Sequence, residues 1–192
     1  MGALCHQPFG QGRQPSLSCV RLLDFGPTKA FVAFLVSLGW RPCAAPTHSL
    51  DSLLMFDDPQ SPDWTPLLDA AWKARDHAHA PYSNFQVGAA LLTADGTVFG
   101  GCNVENAAYP VCLCAERGAL SAAVAAGLRP GGLVAAVVVT DVAELTPPCG
   151  ACRQALVEFA GALPVLLANR NTRQLHNLEK LLPHSFGSGH FR

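Results

Sequence analysis

Charge is the scarcest property of this chain. Charged side chains make up 14% of its 192 residues, and 13 Lys plus Arg nearly balance 14 Asp plus Glu. So small a net field excludes a groove built to hold a polyanion and a patch built to hold an acidic membrane. A long apolar run is missing too. The best stretch, AFVAFLVSLGW, covers only residues 30 to 40, whereas a bilayer span needs about 20 apolar residues. It starts too far from the amino end, with only Lys29 close before it, to read as a signal peptide. There is no internal repeat and no Gly-rich loop of the kind that cradles a phosphate. These absences leave a cytoplasmic protein with no nucleic-acid and no membrane partner as the expectation. What is plentiful is apolar residues, at 49%, which excludes a mainly disordered chain and suits a large buried core.

Methionine occurs twice, as Met1 and Met55, and it marks a change of character. Residues 1 to 28 are rich in Gly, Pro, Gln and Ser without apolar periodicity, residues 41 to 49 (RPCAAPTHS) resemble them, and both read as loop. The first 54 residues carry four basic and two acidic side chains, whereas the remaining 138 are net acidic. The expectation is an irregular extension over 1–54, upstream of a translation start at Met55, and a working domain over 55–192.

Regular patterning begins near residue 61. Thr65-Pro66 reads as a cap followed by proline at the first helical position, opening a helix to about residue 78 that carries His77. His79 is placed on the same element, and both histidines are read as surface or packing residues. Residues 85–93, the turn Ala94-Asp95-Gly96 and residues 97–103 read as a hairpin. A helix over 115–126 ends at Gly127. The continuous apolar run 133–140 predicts a strand covered on both faces. A helix at 150–160, a short strand at 164–168 and a helical piece near 177–182 complete the order, which predicts an α/β fold with a mixed sheet between helices.

Eight cysteines could mean disulfides, metal or core packing. Cys5, Cys19 and Cys43 fall in the leader, and the five that remain are an awkward number for a closed disulfide set. Cys149-Gly-Ala-Cys152 opens one predicted helix and Cys114-Ala115-Glu116 opens another. Helix amino ends lower thiol pKa values. If the two helices lie side by side, three thiolates converge, and three thiolates suit zinc. A fourth position left open to water distinguishes a catalytic zinc from a structural one, and Glu116 would be a carboxylate beside it that is not a ligand. The alternative is a closed structural site with Cys112 as fourth ligand, in a zinc-stabilised interaction module.

These residues carry a resemblance. Cys114-Ala115-Glu116-Arg117 and Pro148-Cys149-Gly150-Ala151-Cys152-Arg153-Gln154 follow Pro81-Tyr82-Ser83-Asn84-Phe85, Val87-Gly88-Ala89-Ala90 and Cys102-Asn103-Val104-Glu105-Asn106-Ala107. With the closing Leu181-Leu182-Pro183-His184-Ser185-Phe186-Gly187, this ordered set resembles the cytidine deaminase family over about residues 64 to 187. The resemblance implies a three-layer sandwich with a mixed five-stranded sheet. It implies one zinc per subunit on Cys114, Cys149 and Cys152, with Glu116 moving protons during hydrolysis of cytidine or deoxycytidine to the uracil nucleoside and ammonia in pyrimidine salvage. It assigns Arg117 to hydrogen-bond the thiolates. Asn103 and Glu105 would hold the sugar 3′-hydroxyl, Phe85 would pack on the base, and Val104, Asn106, Ala107, Ala108, Tyr109 and Ala115 would line the pocket. It also implies a homotetramer in which Phe186 reaches a neighbouring subunit. A relative acting on another aminopyrimidine, such as a blasticidin-type deaminase, is the alternative enzyme.

Overall fold

A computed structural model describes residues 56–191 of the chain. The irregular leader, its apolar stretch and the start at Met55 lie outside the described residues.

The sheet is built around β3, Leu133–Thr140, whose eight residues are all buried. β1, Val87–Thr93, pairs with it antiparallel on one side, and β2, Val98–Cys102, extends the sheet beyond β1 as the second arm of a hairpin. On the other side β4, Pro164–Ala168, runs parallel to β3, and β5, Arg173–Asn177, returns antiparallel to β4. The order β2-β1-β3-β4-β5 makes a mixed five-stranded sheet.

Helices cover both faces. α1, Thr65–Arg75, buries Leu67, Leu68 and Ala71 against Ala90, Val137, Val139 and Leu166 on one face. On the other, α2, Ala115–Ala125, and α3, Gly150–Val157, pack Ala119, Leu120, Ala123 and Leu156 on Leu91, Val138, Val165 and Leu167. A short α4, Leu178–Leu181, adds Leu178 to that second core. The alternation of side chains along β3 and β4 feeds the two cores in turn, giving the three-layer arrangement.

Two glycines set the spacing of these layers. A Cβ at Gly88 would stand 2.0 Å from the Ala71 carbonyl oxygen of α1. At Gly101 it would stand 2.3 Å from the Ala119 amide nitrogen and 2.4 Å from the Ala115 carbonyl oxygen of α2. Only a residue without a side chain lets helix and strand backbones approach this closely.

The structure corrects several boundaries. The cap of α1 is Trp64 and not Thr65, which is an exposed first residue of the helix, and no side-chain cap bond forms. The helix stops at Arg75, so His77 and His79 lie beyond it. Pro81 disfavours helical backbone at Ala80, and His79 bridges to Val104 as an extended residue instead. α3 ends at Val157, three residues before the expected end.

Candidate active site

α2 and α3 begin at cysteine. Cys114 occupies the N-cap of α2 and Cys149 that of α3, both with extended backbone, and Cys152 lies buried in the first turn of α3. Their three sulfurs lie within 4.8 Å of one another, and Cys114 Sγ and Cys149 Sγ are 3.8 Å apart. A tetrahedral ion with Zn–S bonds of about 2.3 Å sets its sulfurs about 3.8 Å apart, so the trio fits zinc. Among the described residues no other trio of Cys, His or carboxylate groups meets the same test.

Against the lowering expected of thiols at helix amino ends, burial raises two of the three. Burial pushes the Cys114 thiol up, against the Arg117 hydrogen bond. Burial, then the Glu116 carboxylate and the other two sulfurs, pushes Cys152 up. Partial burial also pulls at Cys149, yet the backbone N–H and thiol of Cys152 and the thiol of Cys114 outweigh it and hold this group below its ordinary value. Three thiols this close cannot ionise together unless a cation takes up their charge. Arg117 reaches the cluster from α2, donating from Nη2 to Cys114 Sγ at 3.8 Å and to the Cys112 carbonyl at 3.1 Å, while its Nε is buried without a partner. The Cys114 sulfur is the main cause that raises the guanidinium pKa further.

Cys112 stands outside the trio. Its sulfur accepts from the Asn106 amide at 3.3 Å and faces the Asn106 carbonyl at 3.6 Å, so it is engaged with backbone and is not one of the three sulfurs that cluster.

Glu116 is the second residue of α2 and is only 5% exposed. Burial raises its carboxyl above the ordinary range, and it sits beside the Cys152 thiol. It lines a cavity of about 270 Å³ at the carboxyl end of β3, with Cys114, Cys149, Ala115, Phe85, Asn103, Val104 and Glu105. Val87, Cys112, Leu113, Val138, Thr146 and Pro147 complete the wall. Of these, Pro147 adjoins the Pro148-Cys149 motif and Val138 lies near the end of the apolar run 133–140, so adjacency to those motifs is the sequence signal for both. A larger cavity of about 600 Å³ near the β1–β2 turn and the end of α2 has no thiol or histidine in its lining, and its one carboxylate, Asp95, accepts from the Thr93 hydroxyl and the Thr97 amide.

Asn103 and Glu105 both face the cavity, although from the extended segment after β2 and not from the strand itself. Asn103 Oδ1 accepts from the Val87 amide at 2.8 Å and its Nδ2 donates to the Phe85 carbonyl at 2.8 Å, which ties the entry of β1 to the exit of β2. Glu105 accepts from the Tyr82 amide at 2.9 Å, the Ser83 amide at 3.2 Å and the Ser83 hydroxyl, and these hydrogen bonds, the hydroxyl foremost, hold its pKa below the ordinary value. Asn106, Ala107, Ala108 and Tyr109 are not in the cavity wall; Asn106 Oδ1 instead accepts from the Ala108 amide at 2.8 Å. Tyr109 lines a neighbouring cleft with Tyr82, Ser83, Glu105 and Cys112. Phe186 lies outside the cavity lining. It is 55% exposed, its backbone pairs with the Gln154 amide group at 2.6 and 3.2 Å, and its ring stacks on His190.

Known proteins are similar to this chain in sequence and fold. Residues 64–167 match the family model described as "Cytidine and deoxycytidylate deaminase zinc-binding region". A cytidine deaminase of Sporosarcina psychrophila is 47% identical over 122 residues, covering 62% of this chain and 88% of that one. One from Mycobacterium tuberculosis is 42% identical over 125 residues, covering 65% and 90%. The crystal structure of the Burkholderia pseudomallei cytidine deaminase superposes with a TM-score of 0.61 at 51% identity, over 64% of this chain and 98% of that one. With its three-thiol cluster, mixed sheet and matched zinc-binding region, the chain belongs to the cytidine and deoxycytidylate deaminase family.

Proposed function

We propose that this chain catalyses the hydrolysis of cytidine and deoxycytidine to uridine and deoxyuridine with release of ammonia, as a step of pyrimidine salvage in the cytoplasm. The carrying observation is a buried carboxylate, Glu116, beside three thiols that fit zinc, at the wall of a cavity of small-ligand size. Cys114, Cys149 and Cys152 would hold the ion. When bound, zinc supplies a Lewis acid that lowers the pKa of water at its open position.

Glu116 takes a proton from the attacking water, delivers it to the ring nitrogen next to the reacting carbon, and then helps move a proton to the departing amine. Burial raises its pKa towards the working pH, where a group that must both accept and give a proton is most effective. Arg117 shares the charge of the Cys114 thiolate and so preserves the ion's pull on water. Phe85 packs against the base, and Ala115 and Val104 shape the pocket around it. Glu105, with Asn103, meets the sugar 3′-hydroxyl; such a contact does not test the 2′ position, so both nucleosides are substrates. An ionised carboxylate there repels a 3′-phosphate, which disfavours a polynucleotide.

The domain is assigned to residues 55–192, because the three cysteines and the cavity lining fall in 85–152 and the sheet in 87–177. A reducing compartment suits the free thiols of Cys102, Cys112, Cys114, Cys149 and Cys152. No helix among the described residues is long and apolar enough to cross a membrane. Homotetramer assembly would cover the exposed Tyr82, Tyr109, Val111 and Phe186, and would bring Asn106, Ala107, Ala108 and Tyr109 against substrate in the assembled pocket.

Absorbance-followed turnover of a panel of aminopyrimidine nucleosides tests the reading. Glu116→Gln is expected to keep one zinc per chain while losing at least about 10² to 10⁴ in rate. Substantial cytidine turnover by that variant, or none by the natural chain carrying zinc, overturns it.

A further inference from the structure

Glu105 owes its orientation to a single turn of chain, residues 80 to 85. The Asn84 amide donates to the Ala80 carbonyl at 3.0 Å, and Asn84 has φ 56, the one left-handed non-glycine backbone among the described residues. Asparagine tolerates that conformation better than most residues, and such a conformation persists where the surroundings impose it. Here it turns the amides of Tyr82 and Ser83 and the Ser83 hydroxyl onto one carboxylate. The same hydroxyl oxygen accepts from the Phe85 amide at 3.0 Å. From the other side, the Glu105 amide donates to the His79 carbonyl at 2.8 Å and the His79 amide to the Asn103 carbonyl at 3.0 Å, which closes the turn onto the Asn103–Glu105 segment.

An ionised carboxylate offers about four acceptor sites. The two backbone amides use both on Oε2, and the Ser83 hydroxyl uses one on Oε1. One acceptor remains, on Oε1. Glu105 therefore has capacity for one substrate hydroxyl, and Ser83 determines which lone pair is left and where it points. Because Ser83 also anchors the Phe85 amide, one hydroxyl links the sugar-facing carboxylate to the base-facing ring.

We propose that Ser83 is a positioning residue for sugar recognition: its hydroxyl fixes Glu105 and the start of the Phe85 wall as one hydrogen-bonded unit that presents a single acceptor to the 3′-hydroxyl. This rests on the reading of Glu105 given above, and the experiment separates the two. kcat and KM are measured for cytidine and 3′-deoxycytidine with the zinc-loaded natural chain, Ser83→Ala and Ser83→Thr. The natural chain favours cytidine. Ser83→Ala lowers kcat/KM for cytidine by about tenfold, mainly through KM. In that variant the ratio between the two nucleosides collapses towards one, and Ser83→Thr, which keeps the hydroxyl, restores it. If Ser83→Ala does not fold, Ser83→Cys, a weaker donor, carries the same comparison. Equal losses on both nucleosides, or an unaltered ratio, overturn the positioning role while leaving Glu105 in place. A natural chain that does not distinguish the two nucleosides overturns the Glu105 contact and the proposal with it.

Discussion

Two positions in sequence separate Cys112 from Cys114, and from spacing alone either thiol could face an ion. The direction of the side chain decides between them: Cys114 caps α2 and meets Cys149, whereas Cys112 closes on the Asn106 backbone. Cys112→Ser is accordingly expected to leave the zinc content at one per chain, measured by metal analysis after gel filtration, whereas Cys114→Ser lowers it. A Cys112→Ser chain stripped of zinc would show that the site is closed by four thiols. The cluster of Cys114, Cys149 and Cys152 was legible because its residue types are rare and their spacing ties them to helix starts. The linkage of Ser83 to Glu105 was not, because it joins positions 22 residues apart through a backbone conformation that the residue names do not specify.

Elements whose sequence repeats one physical signal were read to the residue. β3 and β4 are continuous apolar runs and have the expected bounds, 133–140 and 164–168. β5 was not placed as a strand, since Arg173-Gln174-Leu175-His176-Asn177 has little intrinsic preference for one; it is extended because β4 offers it a partner. Helix ends failed where a distant contact competed, as at His79, whose amide bonds Asn103. The β1–β2 turn supplies a pH test at this scale. Asp95 accepts from the Thr93 hydroxyl at 2.6 Å and the Thr97 amide at 3.1 Å, and these bonds, the hydroxyl first, lower its pKa. A depressed carboxyl stabilises the fold above the unfolded value, about 3.9 for Asp, and loses that contribution as pH falls through its folded value. Asp95→Asn should therefore melt below the natural chain at pH 7, and the gap should shrink and close as acid protonates Asp95. A gap independent of pH would assign the effect to something other than the charge.

For the whole molecule the family was legible, because the ordered motifs span most of the domain and neither their order nor their separation depends on exact element ends. Assembly is the remaining property at this scale. The Phe186 backbone accepts from and donates to the Gln154 side-chain amide, and its ring, 55% exposed, packs on His190 and Phe191. Light scattering is expected to give a tetramer mass for the natural chain and a smaller mass for Phe186→Ala at the same concentration; a fully active monomer of the natural sequence would contradict this assembly. The close seats at Gly88 and Gly101 carry a consequence of a different kind. With backbone atoms 2.0 and 2.3 Å from where a Cβ would stand, any missense change there collides with the main chain of α1 or α2, whatever the new side chain's chemistry. The distance from each helix to the sheet is thus set by main-chain atoms, so repacking the neighbouring side chains cannot make room for a substitution at either glycine.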